Sequence, residues 1–206
     1  HPINTTRLIG SFYAEYALLK NLKFRTSVSL DANYLKNNIF IPTRTGTPPP
    51  SAGAGFAFAS QELIWLNENT LTWQQRFGEN HNLTAVVGQS TQGASFERMI
   101  SRVFNFPNDL VQTANGGQTD LTNSFREEWK LISFLARVNY DYRDKYLLSV
   151  AMRTDGSSRF GANNRYGTFP SASVGWVLSD ENFLKPVSQV SFVKVRASYG
   201  IIGNNN

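Results

Sequence analysis

Hydrophobic and polar side chains alternate one by one along much of this chain, as they do in a β-strand with one apolar and one polar face. The alternation is cleanest over residues 22–33. It places Leu22, Phe24, Thr26, Val28, Leu30 and Ala32 on one side, and Lys23, Arg25, Ser27, Ser29, Asp31 and Asn33 on the other. Strands of soluble proteins average about five or six residues, whereas a tilted membrane-spanning strand needs about 9–11. The run therefore has the length of a membrane-spanning strand.

Strand patterns recur along the chain, and the connections between them tend to alternate between short and long. We predict eight strands, at residues 7–18, 22–33, 61–77, 82–92, 124–142, 146–155, 168–179 and 192–199. Tight turns follow the first, third and fifth strands, and long loops occupy residues 34–60, 99–123 and the stretch after 155. Tight turns at one end and long loops at the other are typical of outer-membrane β-barrels, with periplasmic turns and extracellular loops.

Smaller features accompany the strands. Residues 106–110 have the composition of a short helix start, and residues 180–186 that of a capped helical turn that Pro186 ends. Aromatic side chains gather near strand ends, as they do in the aromatic girdles of membrane barrels. This predicted girdle consists of Tyr13, Tyr16, Tyr140, Tyr142, Tyr146, Phe169 and Tyr199.

The composition agrees with a barrel wall, chiefly through its scarcity of charge. Charged residues make up 17% of the 206 residues, against about 25% in soluble domains. The mean hydropathy is −0.32, and no apolar run approaches the roughly 20 residues of a spanning helix. The chain has no cysteine, which excludes disulfides and cysteine-based sites. Its net charge of +5 is scattered along the sequence, unlike the clustered footprint of a nucleic-acid-binding protein.

The alternation by itself leaves other architectures open. One is a self-contained eight-stranded outer-membrane barrel that serves as an anchor or adhesin, since eight strands are able to close. Another is a soluble β-sandwich whose long loops bind carbohydrate. The chain opens with HPINTTRLIG, without an initiating Met or a signal region, and runs out in Asn204, Asn205 and Asn206 after a strand-like run. We therefore expect an internal piece of a longer protein.

Three blocks in the last third carry a family resemblance. They are ARVNYDYRDKYLLSVAMRTDGSSRFG (136–161), RYGTFPSASVGWVLSDENFL (165–184) and VKVRASYGIIGN (193–204), and GSFYAEYALLKNLKFRTSVSLD (10–31) adds an earlier hairpin. In these blocks the chain resembles the SusC/RagA family of TonB-dependent outer-membrane transporters of Bacteroidota. The resemblance implies an all-β fold, with the chain as an antiparallel segment of about eight strands in a plugged barrel of about 22. It makes residues 1–206 part of one barrel domain.

The resemblance also implies a function and partners. The function is TonB-dependent import of glycan or peptide fragments across the outer membrane of a Gram-negative, Bacteroidota-like cell. The partners are a SusD-like surface lipoprotein that forms a lid, TonB acting through an N-terminal part outside this chain, the lipid of the outer membrane, and the cargo. Nucleic acid is not among them, and no cofactor is implied.

The residues that carry chemistry do not form a catalytic set, so we predict that the chain is not an enzyme. His1 and His81 are the only histidines, which disfavours a histidine-based triad or a multi-histidine metal site. Asp155 and the serines after it fit a turn better than a nucleophile, because no base accompanies them. The candidate ligand or partner contacts are four loop residues, Arg159, Asn163, Asn164 and Arg165. The alternative for them is a solvated loop, or a loop held by hydrogen bonds within it.

Basic residues on the polar sides of the predicted strands give a second hypothesis about function. If each apolar row faces lipid, the alternating row faces the lumen of a barrel. The side chains predicted to face the lumen are Lys23, Arg25, Arg137, Arg153, Lys194 and Arg196. There they would hold the plug or line the path of polar cargo.

Overall fold

The computed structural model describes residues 3–44, 53–160, 165–184 and 191–203, and nearly all regular structure in them is β-strand. The strands are β1 (Ile3–Leu19), β2 (Leu22–Ile41), β3 (Ala54–Phe77), β4 (His81–Phe104), β5 (Gln118–Tyr142), β6 (Tyr146–Ser157), β7 (Tyr166–Val177) and β8 (Lys194–Gly200). Short 3-10 turns lie at Ala114–Gly116 and Leu178–Asp180. Among the described residues, no helix has the length and apolarity needed to cross a membrane.

The eight strands form one antiparallel sheet in which every strand pairs with its neighbours in sequence, in the order β1 to β8. This confirms the predicted all-β, meandering architecture with tight turns at one end and longer connections at the other. A sandwich requires two facing sheets, whereas the described strands belong to one. The strands β1 and β8 stand at the two ends of the order, so the described ladder does not close on itself as the small-barrel alternative requires.

The strands β2 to β5 are longer than predicted at the ends that lead into the long loops. The loop predicted at 34–60 is mostly strand, because β2 continues to Ile41 and β3 already begins at Ala54. The connection predicted at 99–123 is shortened in the same way by β4 and β5. Alternation disappears in these segments without loss of pairing, since backbone hydrogen bonds do not depend on side-chain polarity.

Neither predicted helical piece matches the structure well. The helix predicted at 106–110 is wrong: Phe106 lies in irregular chain, with its ring against Phe40 at 5.0 Å between centroids. Because Phe40 and Phe106 are far apart in the sequence, their contact leaves no pattern in the sequence around residue 106. For the helical turn predicted at 180–186, the structure has a 3-10 turn at Leu178–Asp180, and residues 185 and 186 lie outside the described residues.

By their contacts the residues fall into two compact units that share β1 to β5. One unit comprises residues 1–11, 29–65 and 93–129, and its buried centre is formed by Phe40, Val103 and Phe106. The other comprises residues 12–28, 66–92 and 130–206, and includes the tight turns and all of β6, β7 and β8. The turn between β5 and β6 places Arg143 and Asp144 in the left-handed region, at φ 57° and 55°.

Candidate functional site

The strands β5 to β8 separate polar from apolar side chains onto two faces. Residues directly opposite one another in a sheet point to the same face, and the register aligns Asn139, Ser149, Ser173 and Ser198 across the four strands. The next row along the strands aligns Val138, Val150, Ala172 and Tyr199, which therefore point to the other face. We call the two sides the polar face and the apolar face.

Within the part of the chain that the structure describes, the apolar face is exposed rather than covered by other residues. Val150 is 49% exposed and Val174 is 55% exposed, and Val138, Leu148, Met152 and Val195 on the same face are also exposed. Large apolar side chains are exposed in such contiguous numbers where a surface meets lipid or another protein. This face therefore has the chemistry of a surface that meets lipid or another protein.

Four of the six residues predicted to face the lumen lie together on the polar face. Arg137 is opposite Ala151, and Arg153 is opposite Leu135. On β8, the register places Lys194 and Arg196 opposite Val177 and Gly175, which are on the same face.

The other two predicted lumen residues, Lys23 and Arg25, lie on β2, and side-chain contacts place them on the same face. The Thr26 hydroxyl donates to Asn69 Oδ1 (2.8 Å), and Asn69 Nδ2 donates to Gln89 Oε1 (3.1 Å), so these three side chains share a face. On the strand of Gln89, His81 has the same parity, and its Nδ1 lies 2.7 Å from the hydroxyl of Tyr140. Tyr140 is on the apolar face. By alternation, Lys23 and Arg25 are therefore on the polar face.

The guanidinium of Arg153 is held in a fixed position on the polar face. Its Nε donates to both carboxylate oxygens of Asp155, at 2.7 and 3.0 Å, and its Nη2 donates to the hydroxyl of the buried Ser133 at 3.1 Å. The Arg153 side chain nevertheless remains 47% exposed. Asp155 and Ser133 are not among the residues predicted for the site. Asp155 is two residues from Arg153, and Ser133 is two residues from Leu135, which is opposite Arg153, so all of them share a face.

Small residues make the centre of the polar face concave. Two open hollows of about 730 and 800 Å³ adjoin there, and Ser149, Ser173 and Ser198 line both of them. Arg137 and Arg153 border one hollow, and Lys194 and Arg196 border the other. We call the joined depression the serine trough. It is open to the surroundings rather than enclosed.

The structure describes only two of the four loop residues that are predicted to contact a ligand or partner, Arg159 and Arg165. The backbone N–H of Arg159 donates to Ser157 Oγ (3.2 Å), and the carbonyl of Arg165 accepts from the N–H of Ser157 (3.0 Å). Both residues are exposed, Arg159 just after the end of β6 and Arg165 just before the start of β7. Asn163 and Asn164 lie outside the described residues. Ser157 and Ser158 are structural, since the Ser158 hydroxyl also accepts from the N–H of Lys130 (2.9 Å).

An aromatic row marks the tight-turn end of the apolar face. The rings of Tyr142 and Tyr146 stack at 6.2 Å, and those of Tyr146 and Trp176 at 6.3 Å. Tyr142 and Tyr146 belong to the predicted girdle, and Trp176 extends it. Phe169 does not belong there, because the register places it on the polar face opposite Arg153.

Within the described part of the chain, no cluster of three or more His, Asp or Glu side chains is arranged to hold a metal ion.

Sequence comparison with curated proteins identifies relatives over nearly the whole chain. The TonB-dependent receptor P26 of Formosa agariphila is 36% identical over 207 residues, which is 95% of this chain and 20% of that receptor. The TonB-dependent receptor SusC of Bacteroides thetaiotaomicron is 49% identical over 76 residues, 37% of this chain and 8% of SusC. The chain belongs to the SusC/RagA family of TonB-dependent receptors. No protein-family model matches it.

The fold agrees with this family of receptors. The structure of the RagAB peptide transporter superposes with a TM-score of 0.86, at 21% sequence identity, over 97% of this chain and 23% of the RagAB chain. The match identifies the SusC/RagA-type fold and, at this identity, nothing more. The chain spans about a fifth of the length of the curated receptors it matches, 20% in the case of P26.

Proposed function

We propose that the chain forms part of the barrel wall of an outer-membrane transporter that imports nutrient fragments, either peptides or glycans. The observation that carries this proposal is the separation of faces on β5 to β8. Exposed valines, with Leu148 and Met152, are on one side, and arginines, a lysine and serines are on the other. A wall between lipid and an aqueous lumen needs that division. Residues 1–206 then belong to one barrel domain.

The names of the relatives support import as the activity. The curated relatives are receptors named for TonB dependence, and RagAB is named as a peptide transporter. For the present chain, peptide and glycan cargo are equally compatible with a polar wall of hydroxyl and basic side chains. Transport requires no covalent step from these residues, which agrees with the prediction that the protein is not an enzyme.

The partners follow from the same proposal. A SusD-like surface lipoprotein covers the extracellular mouth, TonB supplies energy through another part of the protein, and outer-membrane lipid contacts the apolar face. In this arrangement Lys23, Arg25, Arg137, Arg153, Lys194 and Arg196 face the lumen. Arg159, Asn163, Asn164 and Arg165 lie in an extracellular loop, where they would contact cargo or the lipoprotein.

Deletion of the gene for the whole protein tests the proposal. Uptake of labelled oligopeptides and oligosaccharides would be compared between the deletion strain, the complemented strain and a complemented strain that lacks TonB. We expect uptake of one cargo class to be lost in the first and third strains. Unchanged uptake of both classes, or recovery of the protein outside the outer-membrane fraction, would contradict the proposal.

A further inference from the structure

We propose that the serine trough binds carboxylate groups of the transported cargo. This inference rests on the proposed import function and adds the chemical class of the group that is recognised. The trough is the joined hollow of about 730 and 800 Å³ on the polar face of β5 to β8.

The first argument is uncompensated positive charge. Among the described residues, the side chains of Arg137, Lys194 and Arg196 form no hydrogen bond or ion pair, and all three line the trough. Two carboxylates are on this surface, and both are already engaged. Asp155 accepts from Arg153 at 2.7 Å, and Asp141 accepts from Asn82 at 3.0 Å. Within the described ranges, these three positive charges therefore face no unengaged carboxylate, and an incoming carboxylate would supply the anionic partner.

The second argument is that the hydrogen-bond donors are accessible. Arg137 and Arg196 are both exposed, and the residues directly opposite them, Ala151 and Gly175, are small. The serine hydroxyls between them add short donors that suit a carboxylate or a sugar hydroxyl. The serines supply room and secondary contacts, whereas the charges determine the class of ligand.

The third argument concerns size. Arg137 lies on β5 and Arg196 on β8, three strand spacings apart, or about 14 Å across the sheet. In register, Arg196 aligns with Asp141, four residues beyond Arg137, so the two are also separated by about 13 Å along the strands. A single small acid does not span that distance. The spacing fits an oligomer with several carboxylates, either an acidic peptide or an oligosaccharide that contains uronic acids.

The test compares each acidic cargo with its own methyl ester, which removes charge and preserves the skeleton. The probes are a mixture of aspartate-rich oligopeptides and oligogalacturonate fragments, each with and without esterification. Initial uptake would be measured in cells that express the whole protein, as wild type and as the double variant Arg137→Gln and Arg196→Gln. The matched control is Lys20→Gln with Arg143→Gln, which removes the same charge from two tight turns.

We expect wild-type cells to prefer the acidic form of one probe class, and the trough variant to lower that acid-to-ester ratio about threefold to tenfold. The control variant should leave the ratio unchanged. The probe class that responds distinguishes the peptide from the glycan source. Import with the same ratio in the wild type and the trough variant would overturn the trough proposal alone, whereas no import of any probe would overturn the import function with it.

A second measurement remains available if the double variant fails to reach the outer membrane. Affinity of the purified whole wild-type protein for the acidic and esterified probes would be measured from about 0.05 to about 0.5 M salt, where screening lengths shorten severalfold. We expect the acid-to-ester preference to fall as the salt concentration rises. A preference that is absent at low salt, or constant across the range, would contradict the proposal.

Discussion

One carboxylate gathers three side chains at the tight-turn end of the sheet. Glu181 accepts hydrogen bonds from the hydroxyl of Tyr146 at 2.7 Å, from the indole N–H of Trp176 at 3.1 Å and from the ammonium of Lys145 at 3.3 Å. The bond from Tyr146, followed by that from Trp176, holds the pKa of Glu181 below its ordinary value. All three partners favour the ionised carboxylate, so Glu181 fastens the segment after β7 to the aromatic row.

The first prediction concerns the pH dependence of this contact. Because the pKa of Glu181 is lowered in the folded protein, its contribution to stability is complete above the ordinary carboxyl pKa. That contribution is lost as the pH falls below about 4, through the lowered pKa. In Glu181→Gln, the unfolding temperature of the whole protein should depend less on pH between 7 and 3, measured by tryptophan fluorescence (these pH values bracket the carboxyl range). Glu79→Gln, in an exposed turn, is the control and should behave as wild type.

A second residue-scale prediction uses two glycines with opposite surroundings. A Cβ on Gly93 would lie 2.6 Å from the indole Nε1 of Trp65, whereas one on Gly10 would meet nothing within 4 Å. Gly93→Val should therefore destabilise the protein by about 1–3 kcal/mol through overpacking. Gly10→Val should be neutral or slightly stabilising, because valine favours strands. Urea unfolding in detergent would check both, and equal effects would contradict the close packing of Trp65 on Gly93.

At the scale of the element, each strand exposes its two faces to different surroundings, and β2 allows a direct test. Val28 is 53% exposed in the apolar row, while Arg25 is on the polar face with its guanidinium 4.3 Å from the ring of Tyr13. Val28→Glu should lower membrane assembly of the whole protein, at a cost of up to about 2 kcal/mol if the row faces lipid. Arg25→Glu should assemble nearly normally. Comparable damage from both substitutions would show that the assignment of faces is wrong.

The connection between β4 and β5 is fastened by side chains that are far apart in sequence. Phe106 is 5% exposed, and Asp109 accepts from both the N–H and the hydroxyl of Thr43, at 2.9 and 3.2 Å. Gly55 leaves room for the ring, since a Cβ there would lie 3.0 Å from Phe106 Cζ. Leu110, four residues further along, is 89% exposed. The connection therefore combines a buried anchor with an exposed tip.

This anchor leads to a prediction about local stability. Phe106→Ala should cost about 3–5 kcal/mol of the local free energy of unfolding, as expected for a buried aromatic ring. Residues 105–117 should then exchange amide hydrogen faster and be cut sooner by protease. Leu110→Ala is the control, and should leave both rates unchanged. If protection of these residues is equal in the two variants, Phe106 does not anchor the connection.

At the scale of the whole molecule, period-two alternation predicted the number of strands, their order along the chain and their two faces. The alternation exists because one side is apolar, so it indicated where β2 lies over residues 22–33 but not its continuation to Ile41. The six basic residues were placed on one face by parity alone. Their partners, such as Ser133 for Arg153, depend on the register between strands, which a single sequence does not specify. Burial of Phe106 was missed for the same reason.

The hydrogen-bonded side chains that link β2, β3 and β4 carry a consequence for how the strands find their alignment. Thr26, Asn67, Asn69, Gln89 and Thr91 form one chain of bonds, with Asn69 donating to both Asn67 and Gln89. Sliding one strand past the next by two residues would keep every apolar side chain on its own side. Such a slip would, however, separate Asn69 from Thr26 or Gln89, and leave amides unpaired where solvation is poor. These polar side chains therefore specify the strand register. They distinguish the native register from registers shifted by two residues, which have the same hydrophobic pattern.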